Sequence, residues 1–268
     1  MRVIKSVNMS QKIFNIDSRD GDGRSSRFRY RVELPAQHRF NRVCIAKVSL
    51  PKTWYAAQPG QNRFFLREEK DGKMLEFPVD ITPANYNRRS LAIELAAQMT
   101  NASKKYGNTL TYSVTYPNAM TEPDDGKYTF HVSDEKGDIF LGTQPQIAVP
   151  GLESNMFELL GFDPNSTQTF VNGKLKSQNV IKVQSEDVIR IHSNVCDNGG
   201  NDILLELYST NNPTFGTITW ECPEVMVYSR VLANRTTNLY EFYITNESGV
   251  ELDLNGLNWN FELGVFEV

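Results

Sequence analysis

Residues 257–265 alternate apolar and polar side chains without interruption, in the order LNWNFELGV. Successive side chains of a β-strand point to opposite faces of its sheet, so the large apolar residues of this segment would share one face. A strand with one apolar and one polar face is typical of antiparallel sheets, because parallel sheets are usually covered on both faces. An exposed apolar strand also tends to aggregate. We therefore predict a closed or sandwiched antiparallel β-architecture whose core contains this strand.

Similar alternation recurs on both sides of one helical segment. In 41–50 the alternation changes phase, which predicts a β-bulge. Residues 88–103 carry apolar side chains at helical spacing after Asn87, a good N-cap residue. Several short strands follow residue 180. These patterns predict an all-β fold, an antiparallel β-sandwich with one helix.

The chain shows no internal repeat and no flexible linker between domains. Residues 1–15 are polar with scattered apolar positions, and we interpret them as an N-terminal arm that a partner orders. Residues 16–268 are predicted to form a single domain. Within it, prolines and glycines make 137–177 an irregular elaboration, which includes a short helix near 155–161.

Composition narrows the classes of function. The formal net charge of -4 argues against wholesale nucleic-acid binding, which normally needs a strongly basic domain. The three cysteines are widely spaced and are expected to be reduced thiols. We see neither a signal peptide nor an apolar run long enough to span a membrane, and therefore expect synthesis in the cytosol.

Residues that could carry chemistry do not form a recognisable motif. His38, His131 and His192 lack the spacing of metal ligands, and we expect them to be solvated. Adjacent carboxylates are also expected to be solvated charges: Glu68 with Glu69, Asp124 with Asp125, Glu186 with Asp187. The acidic cluster Asp17, Asp20 and Asp22 lacks the spacing of an EF-hand. The sequence thus predicts no enzyme, no catalytic residue, no metal site and no cofactor.

One charged surface does stand out. Residues 27–34 (RFRYRVEL) alternate strictly, so Arg27, Arg29 and Arg31 would project from one face of a strand. Such a face could meet an acidic partner subunit or the phosphates of a nucleic acid. Alternatively, it provides solubility and protects a sheet edge. We favour a protein partner over a nucleic acid, and name these three arginines as a candidate subunit-interface face.

Six segments, in this order along the chain, resemble the single jelly-roll penton and minor capsid proteins of virophages, polinton-like viruses and adintoviruses. The adenovirus penton base is a more distant relative of that family. The segments are FNIDSRD (14–20), VSLPKTWY (48–55), QNRFFL (61–66), PANYN (83–87), FELLGF (157–162) and FYITNESGVELDLNGLNW (242–259). In the fourth segment Ala84 stands where the family usually has glycine.

The resemblance implies a sandwich of jelly-roll type and a structural function in the virion. A protein of that family would form homopentamers at the fivefold vertices of an icosahedral capsid of a double-stranded DNA virus. It would contact the double jelly-roll major capsid protein and other minor capsid proteins, after synthesis in the host cytosol. We expect no contact with nucleic acid.

Two alternatives to the penton remain at this stage. The first is a minor capsid or cement protein on the same fold. The second is a carbohydrate-binding β-sandwich, in which Trp54, Tyr55 or Trp220 would stack on sugars.

Overall fold

The structure, a computed structural model, describes residues 11–34, 39–117, 121, 123–151, 154–183, 186–196, 201–210, 212–213, 215–233 and 238–267. Its elements, in chain order, are β1 (Gln11–Asp17), β2 (Asp22–Arg24), β3 (Arg27–Arg31), β4 (Arg42–Pro51), β5 (Arg63–Lys70), β6 (Lys73–Asp80), α1 (Arg88–Lys105), β7 (Thr111–Thr115), β8 (Thr129–Ser133), β9 (Gln146–Ala148), α2 (Met156–Leu160), β10 (Thr167–Thr169), β11 (Lys174–Lys176), β12 (Val188–Ser193), β13 (Ile203–Tyr208), β14 (Thr217–Glu221), α3 (Val225–Tyr228), β15 (Arg230–Val231), β16 (Leu239–Asn246) and β17 (Asn260–Phe266).

The described chain divides into two compact units. The first is made of the described residues within Met1–Trp54 and Glu186–Val268, and the second of those within Tyr55–Ser185. This division differs from the predicted single domain over 16–268, because the second unit extends well beyond the elaboration predicted at 137–177. No local pattern marks its boundaries, since both ends of the inserted segment lie between ordinary strands.

Antiparallel pairs in the first unit are nested inside one another. The first strand, β1, pairs with the last, β17; β3 pairs with β16, β4 with β14, and β12 with β13. Two sheets result, with the strand orders β1-β17-β4-β14 and β2-β3-β16-β12-β13, and β15 also pairs with β4. Eight principal strands wrapped in this way into two sheets form a jelly roll. The structure thus confirms the predicted antiparallel sandwich of jelly-roll type.

The two sheets of the first unit share one apolar core, which contains the closing strand as predicted. The strand begins at Asn260 rather than at Leu257, however, and Leu257 is 51% exposed. Phe261 of β17 lies with its ring centroid 5.0 Å from that of Phe242 in β16, and Trp259 meets Phe28 of β3 at 5.7 Å. The predicted bulge is also present, because the register between β17 and β4 shifts between Glu262 and Leu263. This extra residue explains the change of phase in 41–50.

The segment predicted as an N-terminal arm, 1–15, is partly a strand. Its residues from Gln11 onward belong to β1, where Gln11 faces Phe266 and Asn15 faces Glu262 in β17. Pairing with a strand more than 240 positions away cannot be read from the local polarity of the segment. Residues 1–10 lie outside the described residues.

The second unit has its own core between two sheets and α1. Its sheets have the strand orders β10-β9-β5-β6 and β11-β8-β7. The predicted helix at 88–103 is confirmed and runs two residues further, and Asn87 caps it by accepting a hydrogen bond from the backbone N–H of Ser90. Leu91, Leu95 and Met99 of α1 are fully buried, as their spacing predicted. No described helix is long and apolar enough to cross a membrane.

Helical content exceeds the single helix of the predicted fold class. Besides α1, the structure contains α2, close to the short helix predicted near 155–161, and the additional four-residue helix α3. Gly161 ends α2 in the left-handed conformation with φ 71°, which glycine adopts without strain. Both short helices are one-turn connections, so the fold remains predominantly β.

Glu68 contradicts the prediction that adjacent carboxylates are solvated. It follows Phe64 and Leu66 on the inner face of β5 and has no exposed surface, whereas Glu69 points outward and is exposed. Its carboxylate accepts hydrogen bonds from side chains of α1, β7 and the loop between them: Ser103 (2.9 Å), Asn108 (2.7 Å) and Tyr112 (2.7 Å). A buried carboxylate needs such donors, because removal from water is otherwise costly.

Candidate interaction surface

The structure places the three predicted arginines of β3 on the outer face of the second sheet of the jelly roll. Phe28, between the first two, is buried in the core, while Arg29 and Arg31 are exposed and Arg27 is half-buried. The strand alternation therefore identified which side chains share the face. It could not identify which of them are already engaged within the chain.

Arg27 is engaged by acidic and aromatic neighbours. Its Nε donates to Glu251 at 2.8 Å and its Nη1 to Glu241 at 3.1 Å, while the guanidinium lies 3.9 Å from the ring centroid of Tyr243. The hydrogen bond to Glu251 raises the pKa of the Arg27 guanidinium. The charge of Arg27 is thus balanced, and this residue is part of the sheet surface rather than a free contact.

Arg29 and Arg31 form no ion pair with any described residue. In register, Arg29 lies between Asp22 of β2 and Glu241 of β16, and Arg31 lies opposite Leu239. Arg24, at the end of β2, is exposed and likewise makes no ion pair in the described part of the chain. A shallow cavity of about 360 Å³ runs along this edge and is lined by both charge signs: Asp22, Arg24, Arg27, Arg29, Glu241 and Glu251.

His192 corrects the prediction of solvated histidines. It lies on the outer face of β12 but is only 8% exposed, because Tyr243 stacks on its ring with centroids 4.5 Å apart. Its Nδ1 lies 2.8 Å from a carboxylate oxygen of Asp202, and its Nε2 lies 2.9 Å from the hydroxyl of Thr245. His131 is half-buried beside Thr115, and His38 lies outside the described residues.

Asp202 and Tyr243 shift each other's proton affinity in this cluster. Burial, together with the hydrogen bond to Asp202, raises the pKa of Tyr243 to about 12. Burial alone would raise the pKa of Asp202, but the hydrogen bonds from Tyr243 and His192 lower it overall. The Tyr243 hydroxyl therefore donates to an ionised carboxylate. The cluster ties β16, β12 and the start of β13 together on the sheet surface.

A second concave surface lies on the outer face of the other sheet, and the sequence analysis missed it. It encloses about 770 Å³ and is lined by outward-pointing residues of β1, β4, β14 and β17, with Asp20 at one end. Its charged lining residues are Asp17, Asp20, Lys47, Glu221 and Glu262. The sequence shows the polar residues of each of these four strands. Only the pairing of the strands into one sheet shows that the residues form a single surface.

Part of the negative charge in this groove is compensated locally. Arg19 donates to both carboxylate oxygens of Asp17, and this contact lowers the pKa of Asp17. Lys47 lies 3.6 Å from Glu221. Asp20 and Glu262 form no ion pair with any described residue. No group of acidic, histidine or cysteine side chains in the described part of the chain has the geometry of a metal site, and this includes the cluster of Asp17, Asp20 and Asp22.

The three aromatic residues considered for sugar stacking differ in exposure. Trp54 is 1% exposed and belongs to the core of the first unit. Trp220 is half-buried in the same unit, with Tyr228 packed edge-on against it at 5.4 Å. Tyr55 is half-buried as well. Trp54 therefore cannot stack on a sugar, whereas Tyr55 and Trp220 keep part of their surface exposed, and Trp220 lines the concave surface described above.

Comparisons with known proteins give a distant likeness in fold. No protein-family model matches the chain, and no curated protein matches it. Among solved structures, the crystal structure of a selenomethionine-labelled mavirus penton protein is similar over 96% of this chain and 99% of that chain, with 9% sequence identity and a TM-score of 0.48. A likeness at this level assigns no function to this chain.

Proposed function

We propose that this protein is a structural component of a viral capsid, namely the penton capsomer, which forms a homopentamer at the fivefold vertex and contacts the major capsid protein. The jelly roll of the first unit is an architecture that viral capsid domains use, although lectins and cupins use it too. The fold alone therefore leaves several functions open. What favours the capsid among them is where the penton-like sequence segments lie.

Three of those segments, far apart in sequence, meet at one corner of the first unit. Ser18, in the segment 14–20, donates its backbone N–H to the carbonyl of Trp259 at 3.0 Å, and its hydroxyl accepts from the Trp259 backbone N–H at 3.0 Å. Thr53, in the segment 48–55, donates its hydroxyl to the carbonyl of Leu254 at 2.7 Å and accepts from the Asn255 side chain at 2.5 Å. Both contacts involve the segment 242–259, so three penton-like segments adjoin one another in the folded chain, and this is the observation that carries the proposal.

The mass of the purified protein under native conditions tests the proposal. We expect native mass spectrometry to show an assembly of five chains, or such an assembly once the major capsid protein is added. A chain that stays monomeric in both conditions would contradict the penton. A monomer that nevertheless joins assembled shells would indicate the minor capsid or cement alternative instead.

A further inference from the structure

We infer that neighbouring copies in the ring join head to tail, with Arg24, Arg29 and Arg31 of one copy seated in the acidic groove of the next. These three residues are called the basic edge below. The acidic groove is the concave surface on the β1-β17-β4-β14 sheet, in which Asp20 and Glu262 form no ion pair with a described residue. The inference rests on the proposed homopentamer and names the two surfaces that would build it.

The arginines of the basic edge are not paired with carboxylates of the described chain. All three guanidinium groups are exposed, and none forms an ion pair with a described residue, in contrast to Arg27 on the same strand. The strand β2, which carries Arg24, is the last strand of its sheet. Arginine presents a planar fork of donors that matches a carboxylate with two hydrogen bonds. An acidic surface of suitable shape is therefore the partner that this edge fits best.

The acidic groove has the complementary shape and charge. It is concave, with a volume of about 770 Å³, whereas the arginines project from a sheet edge. Arg19 pairs with Asp17 and Lys47 with Glu221, whereas Asp20 and Glu262 form no ion pair with a described residue. Arg19 also attracts Asp20, and Lys47 faces Glu262 across β4 and β17, so two cations are set against four carboxylates and the groove stays acidic. Polar groups between them could accept or donate further hydrogen bonds: Asn15, Ser49, Thr219 and Asn260.

The basic edge and most of the acidic groove lie on the outer faces of two sheets whose inner faces pack together, and only Asp20 lies in the turn that joins β1 to β2. A second copy of the same chain offers both at once. Contact between two different surfaces of identical chains is called heterologous. Such a contact produces a closed ring when repeating the rotation from one copy to the next brings the last copy back to the first. Each copy in the ring then uses one basic edge and one acidic groove, and no surface of either kind is left over.

Charge swapping tests this pairing. The first double variant, Arg29→Glu with Arg31→Glu, makes the basic edge acidic. The second, Asp20→Lys with Glu262→Lys, makes the acidic groove basic. We expect sedimentation velocity to show each double variant dissociating at protein concentrations where the wild type is pentameric, with the dissociation constant raised at least about tenfold, since like charges then oppose each other. Combining all four substitutions in one chain restores opposite charges, and pentamers are expected to return.

Two controls separate assembly from folding and from net charge. Thermal unfolding of each variant monomer, followed by circular dichroism, should match the wild type, because Arg29, Arg31 and Glu262 lie on outer faces of the sheets and Asp20 lies in an exposed turn. Lys73→Glu with Lys136→Glu makes the same change in net charge as the double variant of Arg29 and Arg31, at exposed sites of the second unit that carry no ion pair among the described residues. This variant should remain pentameric. Assembly of the wild type is also expected to weaken with salt, because ions screen exposed charges.

The outcomes distinguish this inference from the proposed function. If the wild type is pentameric and both double variants remain pentameric, the pairing is wrong while the penton stands. If the fourfold variant folds but does not assemble, the pairing is wrong as well, because charge complementarity was not the deciding contact. A wild type that never forms pentamers overturns both proposals.

Discussion

At the scale of single residues, Glu68 of β5 is a fully buried carboxylate in the second unit, held by three hydrogen-bond donors. Its phase with Phe64 and Leu66 along β5 indicates the inner face, so the alternation contained the signal for burial. Its partners contained no such signal, because Ser103, Asn108 and Tyr112 lie 35 to 44 positions away. From the sequence alone, a carboxylate that is buried in the core cannot be distinguished from one that is solvated at a turn. The positions of its hydrogen-bond donors make the difference.

Glu68→Gln is expected to lower the free energy of unfolding of the second unit by about 1–3 kcal/mol, the cost of leaving a buried hydrogen-bonding group unsatisfied. The NH₂ group of the glutamine side chain is itself a donor, and it would face side chains that donate hydrogen bonds to the carboxylate of Glu68. Urea unfolding followed by the circular dichroism of the helix measures this, because Ser103 lies in α1. Glu69→Gln, on the exposed neighbour, is the matched control and should change stability by less than about 0.5 kcal/mol. Equal stability of the two variants would show that the buried network contributes nothing.

At the scale of elements, the sequence predicted strands and the long helix but not their partners. Alternation defines which side chains of β17 face the core, and the capping residue Asn87 defines the start of α1. Pairing is different, because nothing local in β1 indicates that it faces β17. For the same reason, the basic face could be predicted from one strand, whereas the acidic groove, built from four strands, could not.

Phe261→Ala is expected to cost about 3–5 kcal/mol of folding stability in the first unit, through lost burial and the cavity it leaves. The Phe261 ring is packed 4.8 Å from Trp259 and 5.0 Å from Phe242, counted between centroids. Tryptophan fluorescence during denaturation reports on this unit alone, because Trp54, Trp220 and Trp259 are the three tryptophans of the chain and all belong to it.

Glu262→Ala provides the comparison on the same strand. Glu262 is the next residue of β17 but points to the outer face, so its removal should change stability by at most about 0.5 kcal/mol. Similar losses for the two variants would mean that the alternation does not separate an inner from an outer face, and the assignment of the closing strand to the core would be wrong.

At the scale of the whole molecule, the nested pairing makes the first unit depend on residues from both ends of the described chain. Four strands precede the inserted second unit and six follow it, so the jelly roll forms only through contacts of long sequence separation. Folds dominated by such contacts form slowly, because the entropy of loop closure is lost before the contacts are gained. The second unit, which is continuous in sequence and has its own core, has no such requirement.

The position of this protein in an assembled shell tests the central claim most directly. We expect an icosahedral reconstruction of capsids that contain the protein to show five copies around each fivefold axis, with the jelly roll of the first unit fitting the density. In such a map, the basic edge of each copy would face the acidic groove of its neighbour. Density for this chain between the major capsomers, with the vertices occupied by another protein, would contradict the account.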